Sequence, residues 1–337
     1  MKKTKIISMN PEHIDEKKLA EAAEVLKMGG LVAFPTETVY GLGANALDEK
    51  AVEKIFQAKG RPSDNPLIVH ISEIEEIEPL VRNVSERARI LMKAFWPGPL
   101  TLIFEKSERI PKRITAGLDT VAIRMPLHPI ARKLIQLAQV PVAAPSANLS
   151  GRPSPTCPEH VIEDLQEKVD IIISGGNCSV GLESTVLDIT EEIPMILRPG
   201  GITREQLEDV LGLVVYDAAL KGDPQAVPKS PGMKYTHYSP RGEVQIVSGE
   251  LEDMVETIRD LQKEKEALGL KVGILATDET KGRYQNAIVL SMGSRKNVAS
   301  IAANLFSALR RFDQEGAEVI FAESIEEKSL GAAVMNR

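Results

Sequence analysis

Four prolines, Pro224, Pro228, Pro231 and Pro240, stand within residues 217–241 and forbid a regular helix there, because each locks φ and removes a backbone donor. A stretch of that length without helix or strand is uncommon in a compact domain unless it joins two bodies or serves a site. The break predicts a larger domain over residues 1–216, a linker or lid over 217–241, and a smaller domain over 242–337, which suits a chain of 337 residues. Residues 218–241 also gather Lys221, Lys229, Lys234 and Arg241 against the single acid Asp223, in a chain of net charge −7. A basic joint between two acidic bodies can fold over an anion, although charge alone fits a solvated tether better.

Helical and strand patterns alternate before the linker. Leu19, Ala22, Ala23 and Leu26 recur at helical spacing over 15–28, with Asp15 placed to cap the helix and Gly29-Gly30 to end it. A second capped helix over 48–59 stops at Gly60, and others are read over 85–96, 130–138, 158–166 and 203–211. Short apolar runs at 31–34, 67–71, 100–104, 121–123, 142–144, 171–173 and 185–189 read as strands. Several strands adjoin with no helix between them, which predicts an α/β domain built on a twisted mixed sheet. After the linker, strands at 243–247, 272–275, 288–290 and 319–321 alternate with helices over 251–268 and 297–312. That is a Rossmann-like α/β pattern, but it lacks the Gly-x-Gly-x-x-Gly fingerprint, so dinucleotide binding is not supported.

Several function classes drop out. No run approaches the roughly 20 apolar residues of a membrane helix, and Met1–His13 carries no apolar stretch of signal length, so a cytoplasmic protein is expected. Cys157 and Cys178 lack metal spacing and read as reduced structural thiols. The five histidines do not cluster, which argues against zinc. Net acidity argues against tight nonspecific nucleic-acid binding. There is no Gly-x4-Gly-Lys-Ser/Thr phosphate loop.

Four polar segments remain: Pro35-Thr36-Glu37-Thr38-Val39-Tyr40-Gly41-Leu42-Gly43, Lys59-Gly60-Arg61-Pro62, Ser146-Ala147-Asn148 and Leu197-Arg198-Pro199-Gly200. None reads as helix or strand, and each falls where an apolar run or a helix stops, the usual place for a ligand site. Cations, hydroxyls and an amide suit a phosphate-bearing ligand. From residue chemistry alone, the reading ends at an anionic ligand held by Lys59, Arg61, Arg124 and Arg198.

In order and spacing across residues 35–200, these segments closely resemble the YrdC-like family. The joint Ser230–Pro240 and the α/β unit after it are similar to the family's long two-domain form, which makes threonylcarbamoyl-AMP. The resemblance implies a nucleotidyltransferase that joins L-threonine, bicarbonate and ATP and releases pyrophosphate. A downstream transferase complex would then carry the threonylcarbamoyl group to an adenosine beside the anticodon of tRNA. Lys59 and Arg61 are the implied catalytic cations. Lys59, Arg61, Asn65, Thr120, Ala144, Ser146, Asn148, Arg198 and Tyr235 are the implied ATP set. Thr38, His70, Arg124 and Ser184 are the implied L-threonine set, with Glu37 a base or ion partner. Magnesium is expected with the triphosphate, with no ligands assignable. Tyr235, His237 and Tyr238 fit a lid that keeps water from a labile adenylate. Direct tRNA binding is expected to be weak or absent. One rival reading is a noncatalytic RNA-binding module; another is plain carbamoyl transfer, whose relatives carry zinc-finger and acylphosphatase segments that this sequence does not show.

Overall fold

The computed structural model describes residues 3–221 and 239–337, and the chain divides into two compact units. Of the described residues, the first unit comprises 3–150, 154–179 and 183–221, and the second 151–153, 180–182 and 239–337.

The first unit begins with β1 (Lys5–Ser8), α1 (Glu16–Lys27), β2 (Val32–Phe34), β3 (Gly41–Asn45), α2 (Glu49–Lys59) and β4 (Ile68–His70). It continues through α3 (Glu86–Phe95), β5 (Leu100–Glu105), the single turn α4 (Lys112–Thr115), β6 (Thr120–Arg124), α5 (Pro129–Ala138) and β7 (Val142–Ala143). It ends with α6 (Pro158–Leu165), β8 (Ile171–Ser174), β9 (Thr185–Asp188), β10 (Met195–Arg198), α7 (Arg204–Leu211) and β11 (Val215–Tyr216). The strands form one sheet in the order β1-β8-β2-β3-β7-β4-β6-β5-β9-β10-β11. The mixture is real: β4 runs parallel to β6 and β5 to β9, while β3 is antiparallel to β7 and β5 to β6.

Local chemistry sets the helix ends. The Asp15 carboxylate accepts from the Lys18 amide at the start of α1, whose inner face is Leu19, Ala22, Ala23 and Leu26. Asp48 caps α2 at Lys50, and Gly60 ends it in the left-handed region at φ 61°. That turn fixes how Lys59 and Arg61 leave the helix.

Two segments read as irregular are partly strands. Gly41–Asn45 is β3, paired with β2 through Val32–Gly43 and Phe34–Gly41. A β-carbon on Gly43 would lie 2.7 Å from the Phe34 ring, so the glycines that hide the strand pattern also make room for its neighbour. Leu197 and Arg198 close β10. β1, β11 and α4 also escape the pattern reading, being short and partly polar.

The second unit contains β12 (Glu243–Val247), α8 (Leu251–Ala267), β13 (Val272–Ala276), β14 (Ile288–Ser291), α9 (Val298–Glu315), β15 (Val319–Glu323) and α10 (Leu330–Met335). Its sheet is wholly parallel, in the order β12-β15-β13-β14. Val255, Ile258, Ile274 and Phe321 are fully buried within its core. The pattern reading therefore holds for the fold class: a large mixed sheet and a smaller parallel α/β unit. Among the described residues, no helix is long and apolar enough to cross a membrane.

Candidate active site

β4 and β6 are parallel neighbours, paired Ile68 to Ala122 and His70 to Arg124, and they organise the polar residues into two groups. At their carboxyl ends, Arg124 is buried and forms an ion pair with Glu37 at 2.5 Å; the side chains are 5% and 4% exposed. Arg124 Nη1 donates to Thr38 Oγ1 at 2.9 Å and Nε to the Gly98 carbonyl at 3.3 Å. Glu37 Oε2 accepts from the Leu127 amide at 3.1 Å. Glu37 is thus an ion partner that ties the 35–38 loop to β6 and the turn after it. A guanidinium has five N–H donors, and these contacts use three of Arg124's, leaving one hydrogen on each terminal nitrogen. His70 is buried beside it, with Nδ1 3.2 Å from the Ile68 carbonyl. Burial first, and the Arg124 charge second, push the imidazole down to about 3, so it is neutral near pH 7.

The same end holds a second cluster. β5 is antiparallel to β6, and its first residue Leu100 pairs with Thr185 of β9. Ser184, just before β9, shares a hydrogen bond of 2.7 Å with Thr101. Arg198 Nη2 donates to the Ser184 carbonyl at 3.0 Å and to its Oγ at 3.2 Å. Gly200 permits this contact: a β-carbon there would lie 2.3 Å from the Glu183 carbonyl oxygen. Arg198, expected with the nucleotide, therefore sits with Ser184, expected with threonine.

The other group lies at the amino ends of β4 and β6. Ala144 donates its amide to the Ile68 carbonyl, and the chain turns through Ser146 to Asn148. Lys59 is buried, with Nζ bonded to the Ser146 carbonyl, to the Asn148 carbonyl at 2.5 Å and to Asn148 Oδ1 at 3.3 Å. Its ammonium holds the 146–148 turn in place. Arg61 Nη2 reaches the Pro66 carbonyl at 3.4 Å, and Thr120 opens β6. Asn65 is 2% exposed, and among the described residues neither its amide nitrogen nor its amide oxygen has a hydrogen-bond partner. A buried amide left unmet costs about 1–3 kcal/mol per group, so Asn65 marks a place where a polar ligand would be accommodated at a gain. At about 3.3 Å per residue, the two groups are separated by only about 7 Å of β4.

Comparison with known proteins decides the family. Residues 24–200 match the family model Sua5–YciO–YrdC, described as telomere recombination. Residues 202–337 match the model described as the C-terminal domain of threonylcarbamoyl-AMP synthase. The chain belongs to the Sua5/YrdC family, in its two-domain form. It is 52% identical to the threonylcarbamoyl-AMP synthase of Pyrococcus abyssi, over 97% of this chain and 94% of that one. It is 50% identical to the enzyme of that name from Bacillus subtilis, over 96% of this chain and 92% of that one. The crystal structure of P. abyssi Sua5 complexed with L-threonine superposes with a TM-score of 0.94 at 51% identity, covering 99% of this chain and 96% of that one.

Tyr235, His237 and Tyr238, the residues of the expected lid, lie outside the described residues. Among the described residues, no group of three or more His, Cys, Asp or Glu side chains converges as a metal site. The donors here are guanidinium, ammonium, hydroxyl and amide groups, which do not fit a resident magnesium. Cys157 and Cys178 are free thiols, and burial raises both, Cys157 to about 11, which keeps them protonated. Sequence reasoning missed two Sua5/YrdC site neighbours, Thr36 and Thr101. Thr101 lies inside the apolar run Leu100-Thr101-Leu102, and no local pattern separates it from an ordinary strand threonine. For Thr36 the signal existed, two threonines in one quoted motif, but only the hydrogen-bond network tells them apart.

Proposed function

We propose that this chain forms threonylcarbamoyl-AMP from L-threonine, bicarbonate and ATP and releases pyrophosphate, on the path to threonylcarbamoyladenosine in tRNA. The observation that carries the reading is the division of polar groups across the short strand β4. A cluster of Thr38, Arg124, His70 and Ser184 stands at one end. A cation, hydroxyl and amide cluster of Lys59, Arg61, Asn65, Thr120, Ala144, Ser146 and Asn148 stands at the other. Its neighbours' names and the threonine-bound relative point the same way.

In this reading the threonine amine and bicarbonate give a carbamate, whose carboxylate attacks the α-phosphate of ATP. No protein nucleophile is required, so the residues position reactants and stabilise charge. Arg124 turns its two remaining N–H groups to the threonine carboxylate. Arg61 faces the developing charge on the phosphates from the amino end of β4, and Arg198, beside Ser184, faces it from the other. Lys59 fixes the carbonyl-lined turn that presents Ser146 and Asn148 to the nucleotide. Magnesium would enter on the triphosphate's own oxygens and shield their charge. The domain over 1–216 is the proposed catalytic body. The product passes to a downstream transferase in the cytoplasm, and direct tRNA contact is weak, in keeping with a net charge of −7.

The test is ATP turnover with threonine and bicarbonate each present or omitted, with the nucleotide product identified by mass. Formation of pyrophosphate and a threonylcarbamoylated AMP only when both are present is the expected result. Turnover that ignores either co-substrate would sink the reading.

A further inference from the structure

Proton bookkeeping around Thr38 has one consistent solution. Thr36 Oγ1 lies 2.6 Å from the Val39 carbonyl oxygen, which can only accept, so the Thr36 hydroxyl proton is committed there. Thr36 Oγ1 is in turn the acceptor for the amides of Thr38 and Val39, at 3.2 and 3.3 Å, two long contacts that share one of its lone pairs and leave the other for Thr38. Thr36 and Thr38 hydroxyls are 2.8 Å apart; since Thr36 has no proton left, Thr38 is the donor in that bond. Arg124 Nη1 then donates to Thr38 Oγ1, and Arg124 is itself held by Glu37. The Thr38 hydroxyl has spent its proton and one lone pair, and keeps one lone pair.

We propose that Thr36 and Glu37 are positioning residues that fix the polarity of the Thr38 hydroxyl, so that Thr38 meets the substrate only as a hydrogen-bond acceptor for an N–H or O–H of the amino acid. The inference rests on the functional reading above and deepens it. It assigns the substrate carboxylate to Arg124 and a substrate donor to Thr38. All the groups concerned are buried, so water does not compete for the fixed orientation. Glu37 adds a second constraint: by occupying one Nη2 hydrogen, it orients the guanidinium fork and offsets a charge that would otherwise be buried alone.

The experiment is calorimetric titration of L-threonine into the full chain, with steady-state KM values for threonine and for ATP measured alongside. Thr36→Val keeps the shape but removes the group that receives the Thr38 proton. The expected result is threonine affinity weakened about tenfold with the KM for ATP unchanged, in a protein that still folds but melts at a lower temperature because the partners of Thr36 are left unmet. Thr36→Ser restores affinity, because the serine hydroxyl can bond the Val39 carbonyl in the same way. Glu37→Gln, which keeps the volume, raises the KM for threonine far more than the KM for ATP. L-2-aminobutyrate, which lacks only the substrate hydroxyl, identifies the donor. If the threonine preference over it collapses in Thr36→Val, the donor is the hydroxyl; if both weaken equally, it is the amine. Threonine binding by Thr36→Val within about twofold of wild type would overturn the inference, as would an equal rise in the KM for ATP. A wild-type chain that bound no threonine would overturn the functional reading itself.

Discussion

Each unit buries a carboxylate against an arginine, and the two pairs are built to different ends. In the second unit, Glu323 closes β15 and accepts from the Thr277 amide at 3.2 Å, Thr277 Oγ1 at 3.0 Å, Tyr284 Oη at 2.7 Å and Arg295 Nη2 at 2.9 Å. Four donors saturate it, and burial with this carboxylate raises the Tyr284 phenol well above its ordinary range. In the first unit, Glu37 takes two donors, and Arg124 keeps two hydrogens in hand beside a hydroxyl with a spare lone pair. A buried ionic network with every group satisfied only specifies a fold. One left short by a few hydrogen bonds, 7 Å or so along a strand from an unmet amide, is arranged for a ligand.

Breaking the pairs should separate these roles. Arg124→Ala strands Glu37 in the interior, and the expected loss is about 3–5 kcal/mol of stability together with all threonine-dependent turnover. Urea unfolding and the pyrophosphate assay read the two effects, and a variant that stayed fully active would void the site. Glu323→Gln is expected to cost about 1–3 kcal/mol, while the KM for threonine of the folded protein stays put. A large change in that KM would mean the second pair is no mere structural cluster.

His70 gives a pH test of the same contrast. Its folded imidazole refuses a proton until about 3, whereas the unfolded one accepts near 6.5. The unfolded state therefore binds more protons between those values, and stability falls as pH drops through that window, by up to about 1.4 kcal/mol per pH unit. Replacing His70 with Gln should flatten that part of the stability profile; an unchanged slope would place the acid sensitivity elsewhere. The smallest effect belongs to Asn65. Asn65→Leu removes an unmet amide, so the ligand-free fold should gain about 1 kcal/mol while the KM for ATP rises. Lost stability would show that the amide has a structural use.

The helices were legible because caps and apolar spacing act locally: Asp15, Asp48 and Thr203 each accept from an amide two or three residues on. The central strands were legible because they are short runs of mostly apolar residues. β3 was not, because Gly41 and Gly43 serve the Phe34 ring and erase the alternation that marks a strand. In the site, the residue types were readable and their allegiance was not. That Arg198, read as a phosphate ligand, bonds Ser184 is written in no local pattern. Nor does any local pattern show that Lys59, read as a cation for the phosphates, also holds two carbonyls and an amide.

The sequence by itself pointed to a two-part division, since four prolines within 25 residues cannot lie inside one regular helix. It also determined the mixed α/β class and the polar segments from which a ligand site is made. Only the tertiary structure decided which of those groups retain bonding capacity. That capacity depends on partners far apart in the chain, such as Glu37 and Arg124 or Thr101 and Ser184, which the register of β4, β6, β5 and β9 brings within hydrogen-bond reach.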